Sequence, residues 1–168
     1  MSNGDSYHGD WKNGRKQGVG TEDWKVGSQK SFEGNFKQNK KDGFGIFVWR
    51  NHCVYKGHFE NNKISGQGTY TWKDGRSYSG QWADNAKHGE GVFVFANQRK
   101  YTGTFKNDYK HGEGKMEWPD GTCYEGLWIY GKQHGEGKLI YEGKERKGMW
   151  KKGVLLKWLD EDKFVDAR

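Results

Sequence analysis

The 168-residue chain has one proline, two cysteines and few aliphatic side chains. Leu, Ile, Val and Phe together number 26, about 15 % of the chain, which is below the roughly 20 % at which composition favours disorder. No apolar run approaches the roughly 18 to 20 residues of a membrane-spanning helix. However, 27 aromatic residues and 27 glycines are present, and disordered chains are poor in aromatics. These counts exclude a conventional aliphatic core and predict one built from rings and glycine.

Targeting signals are also missing from the sequence. Residues 1–20 are polar and contain no apolar core of a secretory signal, and no Asn-x-Ser/Thr acceptor occurs. We therefore expect a cytoplasmic protein. The net charge of +7 favours acidic partners such as anionic phospholipid, acidic protein surfaces or nucleic acid.

An internal repeat dominates what is present. An aromatic-x-Gly-x-aromatic unit recurs about every 23 residues, and a Gly-x-Gly begins nine residues after each of the first six central glycines. A degenerate seventh copy contains Gly148 and Trp150, with Arg146 in place of the first ring. The six complete units are centred on Gly9, Gly34, Gly57, Gly80, Gly103 and Gly126.

Each repeat reads as a β-hairpin with two different faces. Because side chains alternate along a strand, Tyr78, Gly80 and Trp82 share one face, and the Gly-x-Gly strand carries further rings at the same parity. The pattern predicts an all-β, elongated, single-layer antiparallel meander of about 12 to 13 strands. We expect tight turns between repeats, as at Asp74-Gly75, and a longer connection within each repeat, as at 84–88.

The repeat resembles the MORN (membrane occupation and recognition nexus) family, whose pattern is Tyr-x-Gly-x-Trp, a short polar turn and then Gly-x-Gly. The resemblance implies a twisted, gutter-shaped sheet, a β-solenoid, whose aromatic groove holds a helical or extended protein segment. It also implies a scaffold in ciliary (axonemal) or other cytoskeletal assemblies, with membrane association as another setting. The first repeat departs from the pattern, since Glu22 stands where other repeats carry an aromatic or aliphatic residue.

The repeat pattern divides the chain into three parts. Residues 1–6 form an N-terminal tail and residues 153–168 a C-terminal cap or partner-docking segment. Because no cap precedes Tyr7, we expect the N-terminal edge to pair with another chain or a second copy. The array occupies 7–152, with repeats that start near 7, 32, 55, 78, 101, 124 and 146.

Two surfaces are candidates for binding. The first, the aromatic groove, is the side of a single-layer sheet where rings have nothing behind them, and large exposed apolar patches usually mark interaction sites. We assign it to Trp49, Trp72, Trp82, Phe95, Phe105, Trp118 and Trp128.

The second surface, the basic edge, collects the cations of the turns within repeats, where only Asp42, Glu60, Asp84 and Asp108 oppose them. Such an edge favours anionic phospholipid, including phosphoinositides, or an acidic protein surface. The basic edge comprises Lys12, Arg15, Lys16, Lys37, Lys40, Lys41, Lys63, Lys87, Lys106, Lys110 and Lys132.

Candidate chemical motifs are weak. The three His-Gly-Glu-Gly strings place their histidines one repeat apart, about 9 to 10 Å, too far to share one metal ion. Cys53 and Cys123 lie three repeats apart, so we expect free thiols. Gly-Glu-Gly-Lys lacks the other residues of a phosphate loop. We predict no catalytic residues, no cofactor and no metal site.

The leading hypothesis is therefore a non-enzymatic scaffold that binds protein segments through the aromatic groove, in a cilium or another part of the cytoskeleton. The alternative is a peripheral membrane module that binds anionic phospholipid through the basic edge. Nucleic acid is the least favoured partner, because most rings are committed to the repeat core.

Overall fold

The computed structural model describes residues 4–160, which form one open antiparallel sheet of 14 strands. The strands lie side by side in chain order, so each pairs only with its neighbours in sequence. They are β1 Ser6–Lys12, β2 Arg15–Asp23, β3 Gln29–Lys37, β4 Lys40–Trp49, β5 Val54–Glu60, β6 Lys63–Thr71, β7 Ser77–Ala83, β8 Ala86–Val94, β9 Lys100–Lys106, β10 Tyr109–Glu117, β11 Cys123–Ile129, β12 Lys132–Tyr141, β13 Lys144–Lys151 and β14 Val154–Trp158.

The predicted single-layer meander is confirmed, with one hairpin per repeat. The strand count exceeds the expected 12 to 13 because the degenerate seventh copy also forms a hairpin, β13–β14. Strand β14 lies within the predicted C-terminal segment and ends the sheet, while β1 ends it on the other side. The remainder of that segment, 161–168, and the start of the N-terminal tail, 1–3, lie outside the described residues.

The predicted positions of the tight and the longer turns were wrong, because the two kinds of turn exchange places. The tight turns lie within repeats: Asp84-Asn85 links β7 to β8 with φ values of 48° and 68°, the left-handed pair that a two-residue hairpin turn requires. The connection through Asp74-Gly75 is the longer one, closed by Trp72 N–H donating to the Arg76 carbonyl at 2.9 Å. The tight turn fits because the pairing of β7 with β8 shifts register between Gly80 and Trp82, next to Gly89 at φ +57°, as in a bulge.

From the second repeat onward, the second residue of each tight turn also binds the preceding repeat. The Asn85 N–H donates to the Ile64 carbonyl at 2.9 Å, and its Oδ1 accepts from the Ile64 N–H at 2.8 Å. The same pair of bonds joins Asn62 to Lys41 and Asp108 to Lys87. Adjacent hairpins are therefore held by these side chains at one end of the strands, in addition to the sheet ladder.

Replacing Asn85 with glycine is expected to reduce the free energy of unfolding by about 1 kcal/mol, the net contribution of one hydrogen bond. Glycine keeps the left-handed backbone, as Gly131 does at the equivalent turn, so the change isolates the side-chain bond. Urea denaturation measures the effect, with Asn107→Gly as control, since Asn107 is the first residue of its turn. Equal losses in both variants would contradict the assigned role of the Asn85 amide.

Core packing explains the glycines of the Gly-x-Gly strands. The Tyr78 ring is fully buried and lies over Gly91, where an added Cβ would approach its ring atoms to 2.5 Å. Its hydroxyl donates to the Gln81 carbonyl at 2.8 Å, which satisfies the one polar atom in the stack. Glycine thus leaves the space that a ring from the neighbouring strand fills. The first-strand ring is completely buried in five repeats, at Phe32, Tyr55, Tyr78, Tyr101 and Tyr124.

Candidate partner-binding groove

One continuous chain of rings forms the core of the ring-bearing face. Each first-strand ring meets the second ring of its own strand and that of the next repeat edge to face, as when Tyr78 meets Trp82 and Phe105, both at 5.0 Å between centroids. Such T-shaped pairs are favoured by the ring quadrupole. The chain runs through Trp11, Tyr7, Phe36, Phe32, Phe59, Tyr55, Trp82, Tyr78, Phe105, Tyr101, Trp128, Tyr124, Trp150 and Trp158.

This buried ring chain includes three of the residues assigned to the aromatic groove. Trp82, Phe105 and Trp128 are only 7 %, 5 % and 3 % exposed. Both indoles also bond the backbone, with Trp82 Nε1 donating to the Gly68 carbonyl at 3.1 Å and Trp128 Nε1 to the Gly114 carbonyl at 3.0 Å. These three rings therefore form the floor beneath a binding surface and offer a partner little direct contact.

A second ring row, contributed by the Gly-x-Gly strands, lies alongside the first and is more accessible. Its neighbours pack in stacked or tilted pairs at 4.4–5.5 Å between centroids. The other four groove residues are half-buried: Trp49 ends its strand, and Trp72, Phe95 and Trp118 each follow directly after theirs. The row runs through Trp24, Phe47, Trp49, Tyr70, Trp72, Phe93 and Phe95.

A cleft of about 320 Å³ opens between the two rows of rings near the middle of the array. Phe95 and Phe105 line it from neighbouring strands, and Lys87, Lys110 and Asp108 add charged groups. Apolar walls with a few polar groups are typical of a binding site. The other residues lining this central cleft are Trp72, Arg76, Phe93, Tyr109 and Gly131.

The basic edge is divided by the structure. Lys16, Lys41, Lys87 and Lys110 are half-buried, and each has its ammonium over rings of the buried chain. The strands that follow the tight turns begin early enough to carry these four onto the ring-bearing face. The other seven are exposed at or beside the turns: Lys12, Arg15, Lys37, Lys40, Lys63, Lys106 and Lys132.

Of the four lysines, Lys110 lies closest to a ring. Its ammonium lies 4.0 Å from the Trp128 ring centroid and 5.4 Å from that of Tyr101. Burial against these rings, together with the nearby Arg99 guanidinium, lowers the pKa of Lys110 to about 8. A lysine that is partly desolvated in this way gains from any carboxylate brought to it.

Two arginines and one tyrosine on this surface were not predicted from the sequence. Arg76 and Arg99 come from the connections between repeats and lie over Trp72 and Phe95 at 5.4 and 4.9 Å. The sequence does contain a signal for the two arginines, since each lies four residues after the aromatic residue that directly follows a Gly-x-Gly strand. Tyr130, 72 % exposed, occupies a tight turn at φ 48°, a conformation that bulky residues seldom adopt.

The hairpins coincide with matches to a known repeat family. Six MORN repeats match residues 7–29, 32–54, 55–75, 78–98, 101–123 and 124–144. The chain belongs to the MORN repeat family. In this MORN sheet the first strand of every matched repeat contributes two rings to the continuous ring chain, and residues in or directly after the second strands of the first four repeats form the second row.

Comparisons with individual proteins add little to the family assignment. No curated protein matches the MORN chain in sequence. Among solved structures, a mutant of the TCP10 domain of Danio rerio CPAP aligns at 17 % identity and a TM-score of 0.49, over 84 % of this chain and 66 % of that one, just under two thirds of its length. The wild-type domain in complex with a peptide of Danio rerio STIL aligns at 15 % identity and a TM-score of 0.29, over 93 % and 78 %.

Residues 4–160 contain neither a metal-ligating cluster nor a helix that could span a membrane. No group of three or more His, Cys, Asp and Glu side chains arranged to hold a metal ion occurs there. That part of the MORN chain also has no helix that is both long and apolar enough to cross a bilayer. Cys53 and Cys123 are buried free thiols, as the repeat spacing predicts.

Proposed function

We propose that this MORN protein is a non-enzymatic scaffold that binds a segment of a partner protein along the half-buried rings of the groove. The observation that carries the proposal is the accessible row Trp49, Trp72, Phe95 and Trp118 beside an open cleft of about 320 Å³. Tryptophan and phenylalanine at such positions bury a large area with few rotatable bonds, and tryptophan is a preferred energetic hot spot. The ciliary or cytoskeletal setting is part of the proposal on the strength of the family resemblance alone.

Alanine at both Trp72 and Trp118 is expected to weaken partner binding by about 100-fold or more, since a hot-spot ring contributes about 2 kcal/mol or more. Affinity capture from the native cell, with tagged wild-type and variant proteins and mass spectrometry, identifies the partner. Binding of the purified pair then gives the fold-change. The matched control is Trp11→Ala, an exposed indole at the end of the ring chain, outside the groove.

Circular dichroism and thermal melting establish that each variant keeps its fold. A partner retained by wild type and by Trp11→Ala but lost by the double variant supports the groove. A partner bound equally by all three proteins would contradict the assignment.

A second candidate function is binding to anionic membranes through part of the basic edge. Lys12, Arg15 and Lys37 are exposed and line one open cleft of about 510 Å³ near the first two tight turns. Each basic residue near an anionic surface contributes about 1 kcal/mol. Reversal of these three residues to Glu is expected to abolish flotation with phosphatidylserine vesicles at low salt, whereas Trp72→Ala and Trp118→Ala leave it unchanged. Flotation that resists both salt and charge reversal would exclude this candidate.

A further inference from the structure

One repeat position places lysines among the rings. The residue two places before each Gly-x-Gly pairs across the hairpin with the second ring of the first strand, as Lys41 with Phe36 and Lys110 with Phe105. Ile64 occupies the position in the third repeat and belongs to the buried core, which shows that the position faces the rings. The six residues of this column are Lys16, Lys41, Ile64, Lys87, Lys110 and Gln133.

The first pair of lysines in the column has its own carboxylate. Glu22 accepts from the Lys16 ammonium and lies 3.1 Å from that of Lys41. All three side chains are at most 21 % exposed. Glu22 stands where the next repeat has Phe47, so an acid has replaced a core ring. This departure from the repeat pattern therefore has a physical reason: the Glu22 carboxylate pairs with two partly desolvated cations in neighbouring repeats.

The second pair of lysines has no such carboxylate between them. Lys87 and Lys110 are also one repeat apart, but the residue equivalent to Glu22 is Phe93. Lys87 is paired with Asp108 in the next tight turn, at 2.7 Å. Within residues 4–160, neither Lys110 nor Arg99 forms an ion pair with a carboxylate.

The central cleft opens beside the second pair of lysines. Lys87, Phe93 and Lys110 all line it, and the Arg99 guanidinium lies over Phe95 at its wall. Arg76 lines the cleft as well but is paired with Asp74 at 2.8 Å. The cleft therefore combines apolar walls with an excess of positive charge, and this is complementary to an acid flanked by apolar groups.

We propose that the central cleft binds an aspartate or glutamate side chain from the partner segment, which pairs with Lys110 as Glu22 pairs with Lys41. This inference rests on the proposed scaffold function and specifies the chemistry of the partner. Apolar or aromatic side chains of the segment on either side of the acid lie against Trp72, Phe95 and Trp118. The acid fixes the register of the segment along the rings, because a ring of the segment could pack against any of several similar rings, whereas the acid has one favourable position.

A phage-displayed library of random dodecamer peptides, selected on the full chain, tests the inference. The selected peptides are expected to be enriched in Asp or Glu beside aromatic or aliphatic residues. For a selected peptide, calorimetry is expected to show a 10- to 100-fold weaker Kd for its Glu→Gln or Asp→Asn analogue. This comparison needs no protein variant, so the folding of a variant does not affect it.

Lys110→Met supplies the protein side of a double-mutant cycle. Methionine retains apolar packing on Trp128 and removes only the charge. The variant is expected to bind the acidic peptide with a 10- to 100-fold weaker Kd and its neutral analogue with a Kd that changes less than about 2-fold. Lys56→Met, which removes an exposed lysine outside both candidate surfaces, is the matched control and leaves both affinities unchanged. Phe93→Glu, which supplies an internal acid as in the first repeat, is expected to displace the acidic peptide.

The outcomes separate this inference from the proposed function. Peptides that need Trp72 and Trp118 but carry no acid, or ignore Lys110→Met, overturn the acid site and leave the scaffold standing. Failure to select any groove-dependent peptide overturns both. Phosphatidylserine vesicles bound in a Lys110-dependent way, without peptide binding, would assign the cleft to lipid and overturn the inference.

Discussion

Alanine at Gly91 is expected to destabilise the sheet by about 3 kcal/mol, the upper range for overpacking a core. The added Cβ would lie 2.5 Å from two atoms of the Tyr78 phenol. That ring has no exposed surface and meets both Trp82 and Phe105 edge to face, so it has no free space into which to move. A displaced Tyr78 also loses its hydroxyl bond to the Gln81 carbonyl.

Urea denaturation of wild type and Gly91→Ala measures this loss. Gly121→Ala is the control, because an added Cβ there meets nothing within 4 Å and only a left-handed φ of +84° opposes it, a cost of about 1–2 kcal/mol. Combining Gly91→Ala with Tyr78→Ala is expected to cost clearly less than the sum of the two, since the smaller side chain relieves the overlap. Strict additivity would show that the ring and the glycine do not share one packing site.

High pH is expected to unfold the protein through its buried phenols. Burial raises the pKa of Tyr55 and of Tyr124 to about 12, whereas a phenol in the unfolded chain ionises at about 10. The unfolded state therefore loses protons first, and the stability that is fully present below pH 10 is lost as pH rises to 12. After allowance for screening by nearby solvent, these two phenols account for about 3 kcal/mol of the free energy of unfolding that is lost between pH 10 and 12.

Phenylalanine at both positions tests the origin of the alkaline loss. Phe32 occupies the equivalent place in the second repeat and is completely buried, so the substitution suits the packing. At neutral pH the free energy of unfolding of the double variant is expected to be about 2 kcal/mol lower than that of wild type, because phenylalanine cannot donate to the His58 and Leu127 carbonyls. Between pH 10 and 12 its stability declines less than that of wild type. Loss of circular dichroism over this pH range that is equally steep in the double variant and in wild type would contradict the prediction.

The sheet was predictable because its two alternating faces recur with a constant offset. Tyr78, Gly80 and Trp82 share a face at strand parity, and the glycines at Gly89 and Gly91 mark the partner strand. The alternation of side chains along a strand does not reveal the bulge beside Gly89. Without that bulge, a two-residue turn at Asp84-Asn85 is incompatible with the pairing of Gly80 with Gly91. The turn was therefore assigned to the more familiar Asp-Gly pairs between repeats.

The groove was predictable only in part, for the same local reason. Parity places Trp72 and Trp82 on one face, but it does not separate the half-buried ring from the one beneath it. That distinction depends on contacts with the preceding repeat, where Tyr55 covers Trp82 edge to face. Likewise, Lys110 looked like a turn residue, because the strand that carries it begins before its Gly-x-Gly.

The strictly sequential order of the 14 strands determines how the protein responds to tension. A pull applied between residues 4 and 160 acts across the strands, so it opens the backbone bonds of one edge strand at a time and does not shear many of them together. Each repeat of 23 residues that detaches lengthens the chain by about 75–80 Å, while the repeats behind it keep their own rings stacked over their own glycines. A protein segment bound across several repeats, as proposed, would hold them together and would raise the force needed to detach them.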